Sequence, residues 1–302
     1  MLCILYVNAV GMCLGLAAIF FERALPAASP RRWIWTLVIP VSVFLPGYYR
    51  FHHSWSVGEM MAQQGAGIAS LDTSINRVWI TISAVLLLWG LASAWRVSRV
   101  VSLSRKGQGN TNRIAVIDGV PVVVTDAIGP ATVGLLRSRV LLPRWVLALP
   151  GAERQYVVRH EEEHRRAHDG RLLFVMSLPL LLMPWNLAMW WQIRRLCLAV
   201  EVDCDNRVVH GLGNATAYGE LLLKVALATS GAPRLQPAFL GGAGTLERRL
   251  TTLLAPTPLR HVQRFLLPAA ALGLTVIVLL MPHPVLHNGS HAHATQAARA
   301  AR

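Results

Sequence analysis

Charge is scarce in this chain: Asp, Glu, Lys and Arg together make up 15% of its 302 residues, against about a quarter in soluble domains. That excludes a surface wetted by water on every side. Cysteine is scarce as well, and Cys3, Cys13, Cys197 and Cys204 contain no CxxC pair. A disulfide framework and a cysteine-rich zinc site are thereby excluded. No basic residue precedes the first apolar run, residues 2–21, and that run is longer than the roughly 7–15 residues of a signal-peptide core. It is expected to be an uncleaved helix.

The apolar residues gather in runs at 2–21, 33–49, 78–95 and 265–281, which approach or reach the roughly 20 residues of a spanning helix. The second run contains Pro40 and Pro46, tolerated where neighbouring helices re-satisfy the freed backbone groups. Four transmembrane helices are expected. In a soluble chain the net charge of +14 would suggest nucleic acid; here it serves first to orient helices by the positive-inside rule. Arg23, Arg31 and Arg32 follow the first run, Arg96, Arg99, Arg105, Lys106 and Arg113 follow the third, and residues 51–76 have no Lys or Arg. The first link and everything between the third and fourth runs are therefore expected in the cytoplasm. The amino terminus, the second loop and the tail fall outside. Arg105 and Lys106 are expected to face anionic lipid headgroups, and no direct nucleic-acid contact is expected.

The chain thus divides into a membrane region over 1–97, a cytoplasmic domain over 98–263, a fourth span over 264–281 and a disordered external tail over 282–302. The tail's His283, His287, His291 and His293 read as part of that disorder rather than as a metal site. Within the domain, β-branched runs at 114–117, 120–125, 132–136 and 140–142, punctuated by Gly119 and Gly129-Pro130, predict a small sheet. After Pro150 the pattern becomes helical to His168 or Asp169, with Gly170 as the expected stop. A second helix is expected from about Gln192 to His210, ending at Gly211, and Asn214 is placed to cap a third that includes 221–227.

The sequence His160-Glu161-Glu162-Glu163-His164 satisfies HExxH inside the first of these helices. Residues four apart share a helical face, so both imidazoles reach one metal and Glu161 stands beside its water as general base. A solvated acidic helix face would carry similar letters, so further ligands have to be sought. A catalytic zinc takes three protein ligands and keeps one position open. Glu201-Val-Asp-Cys-Asp205 on the second helix supplies Glu201 as the leading third ligand, with Asp203 or Cys204 as alternatives. Asp205, on the same face as Glu201, suits a hydrogen bond to an imidazole.

The chain resembles the BlaR/MecR-type membrane metallopeptidases, which act as bacterial signal transducers. The resemblance covers roughly residues 97–281. It rests on Gly129-Pro-Ala-Thr-Val-Gly-Leu-Leu-Arg-Ser-Arg-Val-Leu-Leu-Pro143, His160-Glu-Glu-Glu-His-Arg-Arg-Ala-His-Asp169, Trp185-Asn186, Glu201-Val-Asp-Cys-Asp205 and Leu246-Glu-Arg-Arg-Leu250. It implies one zinc ion held by His160, His164 and Glu201, and carboxylates behind the ligands at Asp205 and Asp169. The implied fold is an α-helical integral membrane protein with a cytoplasmic α+β, gluzincin-like metallopeptidase domain. Its implied setting is the bacterial inner membrane.

The sequence departs from the family's pattern in three places. Glu162 and Glu163 replace small or apolar residues, and Leu187 stands where Pro often follows Trp-Asn. The penicillin-binding domain of the β-lactam-sensing members has no counterpart after residue 281, so direct β-lactam sensing is not expected. The family's type of substrate is a small DNA-binding repressor. Strand 132–136, with Thr132, Val133, Gly134 and Leu135, or strand 140–142, is expected to form the edge on which a protein substrate pairs, and the former is preferred. Two other readings compete: a membrane quality-control protease similar to the HtpX type, and a catalytically inactive adaptor. Residues 172–191 are apolar enough for a fifth span, but one full crossing would put His164 and Glu201 on opposite sides of the membrane. A core helix or a segment that dips into the bilayer, broken at Pro179, Pro184 and Asn186, is expected instead.

Overall fold

The computed structural model describes residues 2–26, 29–52, 77–92, 95, 99, 114–125, 129–135, 137–228, 243–254 and 261–280. The loop at 53–76, the basic stretch at 101–113 and the tail at 282–302 lie outside the described residues, together with the expectations that fall on them.

The apolar runs are helices. They form α1 (Leu2–Ala24), α2 (Arg32–His52, with Pro40 and Pro46 inside it), α3 (Arg77–Ala92) and, at the far end, α11 (His261–Leu280). Among the described residues one helix, at Ile4–Ala24, is long and apolar enough to cross a membrane; Arg32–Pro46, Arg77–Ala92 and Phe265–Leu280 are shorter apolar helices. Helix α11 lies along α1, where Val278 packs with Val10 and Leu14.

A four-stranded mixed sheet follows, in the order β1-β2-β4-β3. Strands β1 (Ile114–Ile117) and β2 (Val120–Thr125) form an antiparallel hairpin. Asp118 and Gly119 both have positive φ at its tip, as a two-residue turn matched to strand twist requires. Strand β4 (Arg139–Pro143) runs parallel to β2, and β3 (Ala131–Val133) pairs with it on the other side, setting Thr132 opposite Val140. The expected strand 132–136 is therefore shorter than its β-branched letters suggest. It stops at Val133 because Gly134 turns the chain at φ +104; Gly134 and Leu135 lie beyond the strand.

After the short α4 (Arg144–Leu147), α5 (Gly151–Ala167) carries the HExxH residues. It does not run on to Gly170. His168 takes the left-handed conformation, at φ 58, and α6 (Asp169–Ser177) starts at the next residue, so Gly170 lies inside a helix. Residues 172–191 do not form one span. They are divided among α6, α7 (Pro179–Leu182) and the start of α8 (Leu187–Leu212). Helix α8 begins earlier than expected, at Leu187, because the Asn186 side chain accepts a hydrogen bond from the Met189 amide at 3.0 Å. Leu187 thus occupies the first helical position, one that proline also suits. Gly213, at φ 74, ends α8, and Asn214 caps α9 (Ala215–Ala228) by accepting from the Ala217 amide. Helix α10 (Ala243–Leu254) packs on α8 and α9.

Helix α8 belongs to two cores at once. Its first half, through Met189, Ile193 and Leu196, packs with Trp35 and Ile39 of α2 and Ala18 of α1. Its second half, through Cys204 and Val208, packs with Val122, Val140 and Leu142 of the sheet, Val158 of α5 and Tyr218 of α9. Glu201 lies between the two. The first contact depends on small residues, since a Cβ added to Gly11 would lie 2.9 Å from the Ala188 side chain and one added to Gly15 would lie 2.3 Å from the Trp191 ring. Gly15→Leu is expected to cost about 1–3 kcal/mol by overpacking, seen as a lowered unfolding temperature in detergent. Gly90→Ala, with nothing within 4 Å of the added Cβ, is expected not to lower it.

Candidate metal centre

One turn of α5 separates His160 from His164, and their Nε2 atoms point to a common place, 3.2 Å apart. Glu201 arrives from α8 and faces both: its Oε2 is 3.7 Å from His160 Nε2, and its Oε1 is 3.7 Å from His164 Nε2. In a tetrahedral zinc site with bonds of about 2.0–2.1 Å, donor atoms stand about 3.3–3.4 Å apart. The imidazole pair matches that spacing, and each Glu201 oxygen stands a few tenths of an ångström beyond it from one ring.

The two Nδ1 atoms face away from this place, and each has an acceptor. His164 Nδ1 lies 2.8 Å from Asp169 Oδ2. The left-handed turn at His168 makes that contact, since it brings the first residue of α6 back toward the last turn of α5. His160 Nδ1 lies 2.9 Å from the Tyr218 hydroxyl, which donates to Asp205 Oδ1 at 2.8 Å. With protons on both Nδ1 atoms, both Nε2 lone pairs are free for a metal. Asp205 itself is 3.4 Å from His160 Nδ1, so it acts on the imidazole chiefly through Tyr218 rather than by the direct hydrogen bond expected from its position on α8.

The alternative third ligands separate cleanly. Asp203 lies away from the histidines and accepts the backbone amides of Arg31 and Arg32 at 3.0 Å each, at the start of α2. Cys204 is close enough to group with the two histidines, all three ligand atoms falling within 4.8 Å of one another. Its sulfur, however, contacts His160 Nδ1 and the His160 carbonyl, each at 3.4 Å. Glu201 faces the Nε2 atoms, one oxygen to each ring, whereas the closest grouping of ligand atoms is that of Cys204 with the two histidines.

Arg249 completes the arrangement from α10. Its Nε and Nη2 donate to Asp205 at 2.7 and 2.8 Å, and its Nη1 lies 3.0 Å from Glu201 Oε2. Glu201 Oε1 remains turned toward His164. Burial opposes ionisation of Glu201, but Arg249 and the two imidazoles outweigh it and hold the carboxyl well below the usual range. Burial likewise works against a charged His160, yet Cys204 and Glu201 overcome it and raise its pKa to about 10.

Glu161 is buried beside these groups, and Thr132 of β3 lies against it. The Thr132 hydroxyl is 2.7 Å from the Glu161 carbonyl and 3.2 Å from its Oε2. The two neighbouring glutamates turn elsewhere: Glu162 is bound by Arg165 and Arg166, and Glu163 by Arg159 and Arg207. Their charge is met by arginines. Thr132 therefore joins the site, Val133 continues its strand, and Gly134 and Leu135 sit in the following turn, where the Leu135 carbonyl accepts from Arg171.

This geometry agrees with the comparisons to known proteins. The family model for the BlaR1 peptidase M56 matches residues 16–253, and the chain belongs to that family. A peptidase family of this kind implies a bound metal, typically zinc, and His160, His164 and Cys204 stand close enough together to hold one. The Regulatory protein BlaR1 of Bacillus licheniformis is 22% identical over 189 residues, an alignment covering 57% of this chain and 31% of that protein. The chain thus aligns with less than a third of that relative's length. No solved structure matches the chain.

Three residues of the site had no role assigned from the sequence. Arg249 lies within Leu246-Glu-Arg-Arg-Leu250, where it carried a resemblance but no function; Tyr218 and Arg32 gave no local signal. Arg249 is the plainest to test, because it balances two buried carboxylates. Arg249→Met is expected to destabilise the metal-free protein by about 3–5 kcal/mol, the range for breaking a buried ion pair. Thermal unfolding measures this. Arg249→Lys is expected to recover only part of the loss, since an ammonium cannot fork across Asp205.

Proposed function

We propose that this protein is a multi-pass membrane zinc endopeptidase that cleaves a cytoplasmic regulatory protein, with His160, His164 and Glu201 holding the metal and Glu161 acting as general base. The observation that carries this reading is the convergence of both imidazole Nε2 atoms on Glu201, with each Nδ1 engaged behind. When bound, zinc supplies a Lewis acid that polarises the scissile carbonyl and acidifies a water molecule.

The chain's own residues do the rest. Glu161 takes the proton of the attacking water and returns it to the leaving amine nitrogen. Thr132 supports that transfer. Its hydroxyl has one proton and two lone pairs; the shorter contact, to the Glu161 carbonyl, engages the proton. A lone pair then faces Glu161 Oε2 and accepts from the carboxyl once it is protonated. Among the described residues strand β3 pairs with β4 alone, which leaves its outer edge for an added substrate strand, a mode that gives affinity with little demand on side-chain sequence.

The membrane reading is supported by large apolar side chains that face outward on several helices, among them Leu37 and Phe44 of α2, Phe265 and Leu280 of α11, and Leu182 of α7. Large apolar side chains exposed in such number suit an apolar surrounding, and lipid fits the apolar helices that bear them. Reporter fusions at Gly107 and Gly211 are expected to read inside, and one at Gly65 outside. A fusion at Gly211 reading outside would overturn the orientation.

For the chemistry, His160→Ala and Glu201→Ala are expected to lose most bound zinc, whereas Glu161→Gln keeps zinc and loses cleavage. Retention of full zinc by Glu201→Ala with loss by Cys204→Ala would move the third ligand. Val133→Pro is expected to impair cleavage with zinc still bound, because proline distorts the short strand and its pairing with β4, and Thr132→Ser is expected to be neutral. The regulatory character of the Bacillus licheniformis relative, by its name, favours a regulatory target, and a DNA-binding repressor is the proposed substrate. Its shortening in wild-type cells but not in Glu161→Gln cells is the expected proteomic result; its absence under every inducing condition would favour membrane quality control.

A further inference from the structure

Helix α2 touches the metal centre through a single residue that makes two contacts. Arg32, the first residue of α2, donates its backbone amide to Asp203 Oδ2 at 3.0 Å, two positions from Glu201 on α8. Its guanidinium Nη1 donates to Asp169 Oδ1 at 2.7 Å. The other oxygen of the same carboxylate, Oδ2, is the one that meets His164 Nδ1. Arg32, Asp169 and His164 therefore form a line of three residues joined by two polar contacts, running from the start of an apolar helix to a face of the metal pocket.

The contacts are buried, with the Arg32 side chain 14% exposed and the Asp169 side chain 3% exposed. A buried carboxylate shared between an imidazole and a guanidinium has its orientation fixed by both. Arg207 also approaches Asp169 Oδ2, but at 3.6 Å, and it is already engaged with Glu163 at 3.1 Å. Asp169 thus depends mainly on Arg32 for a cation. Arg32 in turn is placed by the amide contacts of residues 31 and 32 with Asp203, so it moves with α2.

We propose that Arg32 is a positioning residue that sets the readiness of His164 to hold the metal, acting through Asp169, so that the seating of α2 against α8 is felt at the metal centre. This rests on the assignment of His164 as a ligand made above. The Asp169 carboxylate, fixed at one oxygen by Arg32, keeps the proton of His164 on Nδ1 and the lone pair of Nε2 toward the pocket. Without Arg32 the carboxylate is free to rotate or to be drawn to Arg207, and His164 loses its constraint.

The test uses the full chain in detergent, loaded with zinc or cobalt and titrated with a competing chelator. Arg32→Gln keeps the backbone contacts with Asp203 and removes the charge; a weakening of about tenfold in metal affinity is expected, the low end for an outer-shell partner. Arg32→Lys, which keeps the charge, is expected to lose at most about threefold. The visible spectrum of the cobalt form reports ligand geometry directly, and it is expected to shift in Arg32→Gln, which altered packing remote from the metal would not cause. In an Asp169→Asn background, Arg32→Gln is expected to have no further effect. An Arg32→Gln affinity within twofold of wild type, an equal loss in the Asp169→Asn background, or a lysine variant as weak as the glutamine variant would each overturn the proposal. If Arg32→Gln does not fold, the lysine variant in both backgrounds decides by the same non-additivity. His164→Ala separates the two levels: if it binds metal as wild type does, the ligand assignment fails and the proposal with it; if it loses metal while Arg32→Gln does not, the proposal alone fails.

Discussion

Each imidazole of α5 is held from behind by its Nδ1 atom, and that hold decides where the other nitrogen faces. Two histidines four apart on a helix share a side, but each ring still rotates and still has two tautomers. Asp169 removes that freedom from His164, and the Tyr218–Asp205 pair removes it from His160. The elements around α5 can be understood from this requirement. Helix α6 must start at once after α5 to supply Asp169, α9 must cross behind His160 to supply Tyr218, and α10 must bring Arg249 to balance Asp205. Only with these in place does Glu201 meet two lone pairs.

The same requirement explains why α8 is long. A helix that carried only Glu201 and Asp205 would need two turns. At 26 residues it also reaches α1 and α2, so that Glu201 and the surface packed on two apolar helices belong to one helix. The polar contacts at the junction point the same way: Glu22 of α1 accepts from Trp35 of α2 and Arg195 of α8 at 3.1 and 2.8 Å. Three helices meet at one carboxylate. Buried charge of this kind is costly unless paired, and here each partner comes from a different helix, which fixes their relative positions.

Much of this was legible in the residues, and the division has a physical cause. HExxH, the long apolar runs and the Asn214 cap are local patterns, and local geometry carries them into the fold. The β-branched letters through Val133 predict a longer strand than forms, because the single Gly134 turns the backbone and outweighs them. The end of α5 was placed at Gly170 because glycine usually supplies the left-handed residue, whereas here His168 does. The role of Asp205 was seen as direct because Tyr218, thirteen residues on, has no spacing rule that links it to His160. Arg32 and Arg249 reach the site from 137 and 44 residues away from the carboxylates they bind, and no periodicity reports contacts of that kind. The pairing of Glu162 with Arg165 and Arg166 was different: at three and four residues' separation it follows the helix rule.

The corner at His168 also limits how the chain length could change. Each residue of a helix turns the backbone by about 100°, and five positions separate the imidazole at 164 from its carboxylate at 169, with one left-handed step between them. A single insertion or deletion in that interval would swing the carboxylate to another side of the pocket, and a repair by substitution would have to rebuild the corner as well. Exposed side chains of α5 and α6 that touch neither the site nor the core are free to drift one at a time. The interval between these two residues is expected to change only as a unit, which makes its length a firmer mark of the site than most of the letters within it.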